Sequence, residues 1–469
     1  MKVKKIMALL LASALLMTAC SNEGNENNTT DPAQSDNAGA NTTEDAAENT
    51  DGEEQNSEAQ DPAPEGGLNT VAEEPAPTPS ELNDTSYADS VADSAYAIAD
   101  GITDRMVALS ELNLGNQVRL AGALKKAEAG EDLTVAYIGG SITQGTGGGD
   151  DGCYARLVTN WFEETFSSAK INYVRAGIGA TGSFIGVHRV DTDVIANNPD
   201  IVFVEFSVND TTENTRRNVD SYDSLLRKIW NSGSKPAIVC IGMTQDSGIS
   251  FQNYHYDIAK SYDLPFISYR NAILDVISNG HIKWTDISDD NIHPNGNGHI
   301  VLSQLITHYL AEVNESKNDI SGDESDFSTP FTSDKFANAS FLTPANFEPV
   351  DETGTFKTYP DNAFGGFTGY WNIRSSSGFN GAKLVFKDIE AQNIGLLYGM
   401  MTQGGTVLDV YVDGVLAKSV NTDFAGGWGN YAESAIIASF AEKGTHTVEI
   451  VPQENENGKM VTISALLIS

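Results

Sequence analysis

Cysteine and basic residues are scarce in this chain of 469 residues, and both shortages exclude whole classes of function. The three cysteines, Cys20, Cys153 and Cys240, are too few for a disulfide framework and too far apart for a zinc or redox motif. Lys and Arg number 28 against 65 Asp and Glu, which gives a formal net charge of -37. Because phosphate backbones repel such a chain, we expect no nucleic-acid partner.

Long apolar runs are also missing beyond the first residues of the chain. Lys2, Lys4 and Lys5 precede the apolar run 6–17, which is shorter than the ~20 residues that cross a bilayer and fits the core of a signal peptide. The run ends in Leu-Met-Thr-Ala before Cys20, which resembles the lipobox of bacterial lipoproteins. The resemblance implies that residues 1–20 are a lipoprotein signal peptide. Cys20 would then be lipidated and would anchor the protein at the extracytoplasmic face of the cell membrane, its only membrane contact.

The segment after this signal is acidic and poor in apolar residues. Asn, Thr, Glu, Asp, Ala, Gly and Pro dominate it, and no Lys or Arg occurs between Lys5 and Arg105. This composition buries too little apolar surface to offset the entropy that ordering removes. We therefore predict a disordered acidic linker over residues 21–85 that holds the folded part away from the membrane.

Apolar runs that alternate with helical patterns begin after residue 112. The runs cover residues 133–138, 171–174, 201–206, 237–241 and 264–267. Stretches such as 154–166 and 222–230 have helical spacing, and a helical pattern over 298–313 closes the region. Repetition of strand and helix predicts a parallel sheet covered on both faces, an α/β sandwich over residues 112–318.

The residue pattern changes after a polar linker that ends near Pro330. Short alternating stretches follow, separated by Gly, Asn and Asp, at 382–386, 394–398, 407–412, 435–440, 445–451 and 460–467. The pair Asp413-Gly414 between two valines is typical of a tight hairpin turn. Residues 330–469 are therefore predicted to form an all-β sandwich.

Three loops after predicted strands carry groups that suit acyl chemistry. Ligands of an open parallel sheet bind at the carboxyl ends of its strands. Ser141 follows the first strand behind two glycines, where a serine is placed as a nucleophile. Gly177 and Gly179 follow the second strand and can present backbone N–H donors, and Asn209 follows the third with a side-chain amide.

A fourth loop, before the last helix, contains an Asp and a His three residues apart. Asp290 can orient the ring of His293 from within the same loop, which leaves the other ring nitrogen free to deprotonate a serine. Glycine-rich loops also bind phosphates, and a lone Ser or His is usually structural. The order of all four motifs along the chain favours catalysis.

These four segments resemble the conserved blocks of the SGNH, or GDSL-type, hydrolases, and the resemblance extends from about residue 116 to residue 313. It implies a flavodoxin-like α/β/α sandwich and ester hydrolysis through an acyl-enzyme, without cofactor or metal. It also implies a nucleophile, a base and an orienting carboxylate at Ser141, His293 and Asp290, and oxyanion donors at Ser141, Asn209 and Gly179, with Gly177 as the alternative glycine. Two positions depart from the family pattern, since Arg175 replaces the usual Asn of block two and Ser207 the usual Gly of block three.

The final domain resembles the jelly-roll-like modules joined to SGNH carbohydrate esterases, and Tyr370, Trp371, Trp428 and Tyr431 in it could stack on sugar rings or form its core. The sequence therefore favours a surface-anchored serine esterase that removes acyl groups, above all acetyl groups, from a polysaccharide. A lipid or short-chain carboxylesterase is one alternative. A non-catalytic glycan-binding lipoprotein is the other.

Overall fold

A computed structural model of the chain describes residues 68–82, 86–351, 355–375, 378–426, 429–453 and 459–469. The predicted signal peptide with Cys20, most of the predicted linker and Trp428 lie outside these ranges. Within them, no helix combines the length and the apolar character that a membrane span requires.

The first sheet has six strands. They are β1 (Glu111–Asn113), β2 (Leu133–Gly139), β3 (Ile171–Gly177), β4 (Ile201–Glu205), β5 (Ala237–Gly242) and β6 (Phe266–Ser268). Their spatial order is β1-β6-β5-β4-β2-β3, and all neighbours are parallel except β1 and β6. Without the short antiparallel edge strand, this is the flavodoxin-like order, whose switch point lies between β2 and β4.

Helices cover both faces of this sheet. They are α1 (Asp104–Ser110), α2 (Val118–Glu128), α3 (Ser141–Gln144), α4 (Gly149–Gly152), α5 (Tyr154–Thr165), α6 (Ser183–Asp193), α7 (Thr215–Trp230), α8 (Gln252–Ser261), α9 (Tyr269–Ser278) and α10 (Gly296–Ser316). Every residue of β4 and β5 is buried, because each strand contributes alternate side chains to the apolar clusters on its two faces. The predicted α/β sandwich is confirmed.

The second half is an antiparallel all-β sandwich, as predicted. Its strands are β7 (Ser340–Leu342), β8 (Val350–Asp351), β9 (Lys357–Phe364), β10 (Phe367–Arg374), β11 (Leu384–Met400), β12 (Val407–Val412), β13 (Val415–Asn421), β14 (Tyr431–Pro452) and β15 (Met460–Ile468). The strands pair in the order β13-β12-β14-β11-β15-β10-β9, with β7 on β15 and β8 on β11. Asp413 and Gly414, both with positive φ, form the predicted tight turn between β12 and β13.

Two pairs of predicted short strands are continuous in the structure. The runs 382–386 and 394–398 belong to β11, and 435–440 and 445–451 belong to β14. Register shifts between β11 and β14 let the pair bend where its side chains turn polar. The strands β9 and β10 were not predicted. An exposed strand such as β9 shows little alternation, whereas β10 does alternate between buried and less buried residues and its pattern was overlooked.

The two domains share an apolar cluster and a bridging N-terminal segment. Phe184 on α6 lies edge-on to Phe336, with ring centroids 5.3 Å apart, and Phe367 and Leu467 of the β-sandwich belong to the same cluster. Residues 68–82 contact both domains: Val71 N donates to the Ser439 carbonyl at 2.9 Å and Ser80 N donates to Asp257 at 2.6 Å. This differs from a disordered linker that reaches residue 85, because backbone groups of the segment find fixed partners on the folded body.

Candidate active site

The first part of the site is a sharp turn from strand to helix. Ser141 is separated from β2 by Gly140 alone and is the first residue of the one-turn helix α3, with 9% of its surface exposed. Its Oγ lies 2.8 Å from His293 Nε2. The two residues that sequence reasoning placed in separate loops are therefore in hydrogen-bond contact.

The His293 ring is held from its other side by Asp290. His293 Nδ1 lies 2.7 Å from Asp290 Oδ2, while Asp290 Oδ1 accepts the backbone N–H groups of Ile292 and His293, each at 2.7 Å. Partial burial raises the pKa of this carboxyl, but the hydrogen bonds from His293 and Ile292 outweigh it and lower the pKa below its ordinary value. Asp290 is therefore ionised at neutral pH and fixes the Nδ1–H tautomer of His293.

Ser288 organises the loop that carries this pair. Its Oγ lies 2.7 Å from the carbonyl oxygen of Asp290 and 2.6 Å from that of His293. Trp284 Nε1 donates to the same Asp290 carbonyl at 2.6 Å. Sequence reasoning missed Ser288 and Trp284, because a serine or tryptophan near a motif gives no signal of its own.

The loop after β3 distinguishes the two candidate glycines. Gly177 packs against the backbone of the nucleophile turn, where a Cβ would lie 2.1 Å from Gln144 N. Gly179 instead lies beside Ser141, because a Cβ built on Gly179 would be 3.9 Å from the Cβ of Ser141. Its N–H donates no hydrogen bond to any described residue. The geometry thus favours Gly179 as the oxyanion donor and assigns Gly177 to close packing.

Asn209 lies against the turn that carries the nucleophile. A Cβ on Gly140 would lie 2.1 Å from Asn209 Oδ1, so the amide sits directly against the residue that precedes the nucleophile. The buried Oδ1 has no partner in the described part of the chain. The oxygen Oδ1 can only accept a hydrogen bond, so Asn209 offers an oxyanion its Nδ2 group, beside the uncommitted N–H of Gly179.

One carboxylate connects the loops that carry these groups. Asp210 Oδ1 accepts the N–H of Ser183 at 2.9 Å, which ties the end of the loop after β3 to the loop after β4. Asp210 Oδ2 lies 2.9 Å from His255 Nε2, and the ring of Tyr222 stacks on His255 with centroids 3.7 Å apart. Asp210 thus sets the separation between the loops of Gly179 and Asn209.

Arg189 provides a second connection, at the ends of β2 and β3. Its side chain is almost fully buried on α6, and it donates to the carbonyl oxygens of Ala176 at 2.8 Å and Gly139 at 3.0 Å. The Gly139 carbonyl also accepts the N–H of Ile178 at 3.1 Å. Arg189 is therefore a structural residue behind the site.

The two departures from the family pattern have local explanations. Arg175 donates to Asp150 at 2.5 Å and lies 3.5 Å from the buried Cys153 Sγ, so it packs against the loop after α3. The Ser207 hydroxyl accepts the N–H of Met243 at 2.6 Å and lies 3.1 Å from Glu205 Oε1. Ser207 thus connects the ends of β4 and β5, which a glycine could not do.

Glu205 is a buried carboxyl beneath the site that the sequence analysis did not single out. Its Oε1 accepts the N–H of Ser207 at 3.0 Å, while Oε2 has no partner among the described residues. Burial raises its pKa from 4.5 to about 7, and the bonds from Ser207 offset only part of that effect. The charged form is therefore disfavoured below neutral pH.

A grouping of possible metal ligands among the described residues consists of Glu111, His308 and Glu312. A carboxylate oxygen of Glu111 lies 3.4 Å from His308 Nδ1, and one of Glu312 lies 4.0 Å from His308 Nε2. The hydrogen bond to Glu111 is the main cause that raises the pKa of His308. An ion pair explains this arrangement, and it does not involve the residues around Ser141.

Comparisons with known proteins agree with this geometry. The family model for the GDSL-like lipase/acylhydrolase family matches residues 137–301. Two solved structures with 29% sequence identity are a two-domain esterase active on acetylated mannans, with a TM-score of 0.72, and the same esterase co-crystallised with mannopentaose, with a TM-score of 0.70. Each match covers 77% of this chain, and 98% or 97% of the other chain. A search of curated proteins finds no match. The region 137–301 is thus a GDSL-like lipase/acylhydrolase domain, and the protein is a serine ester hydrolase.

The loop connection through Asp210 predicts a loss of rate on its removal. In Asp210→Ala the bonds to Ser183 and His255 are both lost, so the loops of Gly179 and Asn209 separate and we expect kcat to fall about 10-fold with little change in KM. Asp200→Ala is the matched control, because Asp200 accepts the Thr134 N–H and pairs with Lys126 at the far end of the same strand. Steady-state kinetics on an activated acetyl ester would contradict the prediction if both variants kept the wild-type kcat.

The buried Glu205 carboxyl predicts a pH-dependent stability. Its pKa is about 7 in the folded chain against 4.5 when unfolded, so the wild type loses stability as the pH rises between these values. One pKa unit corresponds to about 1.4 kcal/mol, so the loss is on the order of 3 kcal/mol. The substitution Glu205→Gln removes this pH-dependent loss of stability.

Denaturant unfolding at pH 5 and pH 8 measures the effect. The free energy of unfolding of Glu205→Gln minus that of the wild type should be larger at pH 8 than at pH 5. The exposed Glu213→Gln serves as control and should show no such rise. An equal difference at both pH values would show that Glu205 does not titrate in this range.

Proposed function

We propose that this chain is a serine esterase that removes acetyl groups from a polysaccharide through an acyl-enzyme. The observation that carries the proposal is the continuous hydrogen-bonded series from Asp290 through His293 to Ser141 Oγ, with joining distances of 2.7 Å and 2.8 Å. The uncommitted Gly179 N–H and the Asn209 Nδ2 group beside Ser141 are donors of the kind that an oxyanion needs.

The reaction follows from the positions of these groups. Ser141 Oγ attacks the acetyl carbon while its proton passes to His293 Nε2, and the carbonyl oxygen becomes an oxyanion that accepts hydrogen bonds from Gly179, Asn209 and the Ser141 N–H. The tetrahedral intermediate expels the sugar oxygen, which takes the proton from His293. A water molecule, deprotonated by His293, then releases acetate and restores Ser141. Asp290 stabilises the positively charged imidazole in both steps.

The choice of an acetylated polysaccharide rests on the two-domain comparison. The esterase active on acetylated mannans aligns over 77% of this chain, which spans the β-sandwich as well as the catalytic domain. In the β-sandwich, Trp371 is buried in the core, whereas Tyr370 is only partly buried and stacks on Tyr359 with centroids 5.0 Å apart. Tyr370 and Tyr359 therefore remain candidates for contact with sugar rings.

The proposal includes an extracytoplasmic location. The apolar run before Cys20 and the acidic composition that follows it support a lipid-anchored protein on a tether. Incorporation of labelled palmitate into the full-length chain, and its loss in Cys20→Ala, would test the anchor separately from the activity.

The activity is tested with purified residues 68–469 and three substrates: acetylated mannan, acetylated xylan and peptidoglycan. We expect released acetate from acetylated mannan, and a fall of at least ~10³-fold in Ser141→Ala because the nucleophile is lost. Ser303→Ala is the matched control, since the Ser303 hydroxyl bonds only to the Ile300 carbonyl oxygen within a helix.

Each alternative has its own result when p-nitrophenyl acetate is added as a fourth substrate. A short-chain carboxylesterase would hydrolyse p-nitrophenyl acetate but release no acetate from any of the polymers. A glycan-binding protein without activity would do neither. Equal rates in the wild type and Ser141→Ala would overturn the proposed mechanism.

A further inference from the structure

The turn between β9 and β10 reaches from the β-sandwich to the loop that carries Gly179. A Cβ built on Gly366 would lie 2.6 Å from Ile178 Cγ2, and one built on Gly365 would lie 2.7 Å from Ala432 N. The tip of this hairpin is therefore wedged between β14 of its own domain and the residue next to the oxyanion donor.

The conformation of the tip explains why glycines occupy it. Gly365 and Gly366 have φ of 56° and 87°, and the flanking residues Phe364 and Phe367 pair directly, so the two glycines form a two-residue hairpin turn. A side chain at position 366 would be strained and would also displace Ile178.

The catalytic domain fixes the backbone of Ile178, while its side chain packs against the apolar cluster that the two domains share. Ile178 N donates to Gly139 at 3.1 Å, and its carbonyl oxygen accepts from Thr181 Oγ1 at 2.7 Å. A cavity of about 350 Å³, lined in part by Ile178, Phe341 and Gly366, lies beside the side chain. Without the hairpin tip, the Ile178 side chain would have room to move.

Backbone strain in the same loop requires such support. Ala180 has φ of 58°, a left-handed conformation that is uncommon for a residue with a Cβ. Strain of this kind persists only where the surroundings determine the conformation. Ile178 and Ala180 flank Gly179, so contacts on either one act on the direction of the Gly179 N–H.

We propose that the Gly365-Gly366 turn of the β-sandwich positions the oxyanion loop through Ile178, so that the second domain contributes to kcat and not only to substrate binding. The proposal rests on the proposed esterase function and adds two positioning residues, Ile178 and Gly366. Neither touches the substrate or the reacting atoms; both act through the Gly179 N–H.

Gly366→Ala tests the proposal, and Gly414→Ala is its matched control. Gly414 lies at the turn between β12 and β13 with φ of 80°, and a Cβ there would meet nothing within 4 Å. Both variants introduce similar backbone strain at a turn of the same domain, but only Gly366→Ala presses on Ile178. With p-nitrophenyl acetate we expect kcat to fall about 10-fold in Gly366→Ala, with KM within 2-fold of wild type, and no change in Gly414→Ala.

A double-mutant cycle with Ile178→Ala isolates the contact. Ile178→Ala removes the contact by itself and should lower kcat about 10-fold. In the Ile178→Ala background, Gly366→Ala should lower kcat little further, because no Ile178 side chain remains to be displaced. If Gly366→Ala does not fold, as judged by its melting temperature, the Ile178→Ala result alone decides. Equal kcat in wild type and Ile178→Ala, or fully additive losses in the double variant, would overturn the proposal.

These results are separable from the proposed function. Hydrolysis by the wild type that is lost in Ser141→Ala supports the esterase, and the glycine variants then decide the positioning alone. A wild type with no esterase activity would overturn both. An active wild type in which Gly366→Ala matches Gly414→Ala would overturn the positioning and leave the esterase intact.

Discussion

The structure of the site depends on one hydrogen bond, 2.8 Å long, between Ser141 Oγ and His293 Nε2, which are 152 residues apart. Its two ends are anchored independently. Ser141 is fixed by the end of β2 and by the packing of Gly177 on the Gln144 backbone. His293 is fixed by Asp290 and by the Ser288 hydroxyl within one short loop. A displacement of either anchor by about 1 Å is sufficient to lower the rate strongly.

The same arrangement of a carboxylate and a histidine serves different purposes at Asp290 and at Asp210. Asp290 and Asp210 each accept backbone N–H groups on one oxygen and contact a histidine on the other. His255, beside Asp210, is fully buried and its remaining nitrogen has no partner in the described residues, so it can only hold a loop. His293 is partly exposed and its remaining nitrogen faces Ser141, so it can move a proton. The neighbour of the second nitrogen, rather than the motif, distinguishes the two roles.

The sequence predicted the parallel sheet and the convergence of its loops, because apolar runs at strand length and polar groups directly after them are local signals. The sequence alone was therefore enough to single out Ser141, Asp290 and His293. The family resemblance named Gly179 first and left Gly177 open, since the choice depends on which glycine approaches Ser141 in space. The strand β9 was missed because an exposed strand lacks alternation, whereas β10 alternates and was recognisable in principle. The contact of their hairpin with Ile178 depends on the packing of two domains, which no local pattern records.

The most direct test of the account is mass spectrometry of the protein quenched in acid during turnover of an acetyl ester. The account predicts one added acetyl group on the peptide that contains Ser141, and none in Ser141→Ala, because the acyl-enzyme forms on this hydroxyl. An acetyl group on another residue, or hydrolysis by the wild type at the same rate as by Ser141→Ala, would contradict the account.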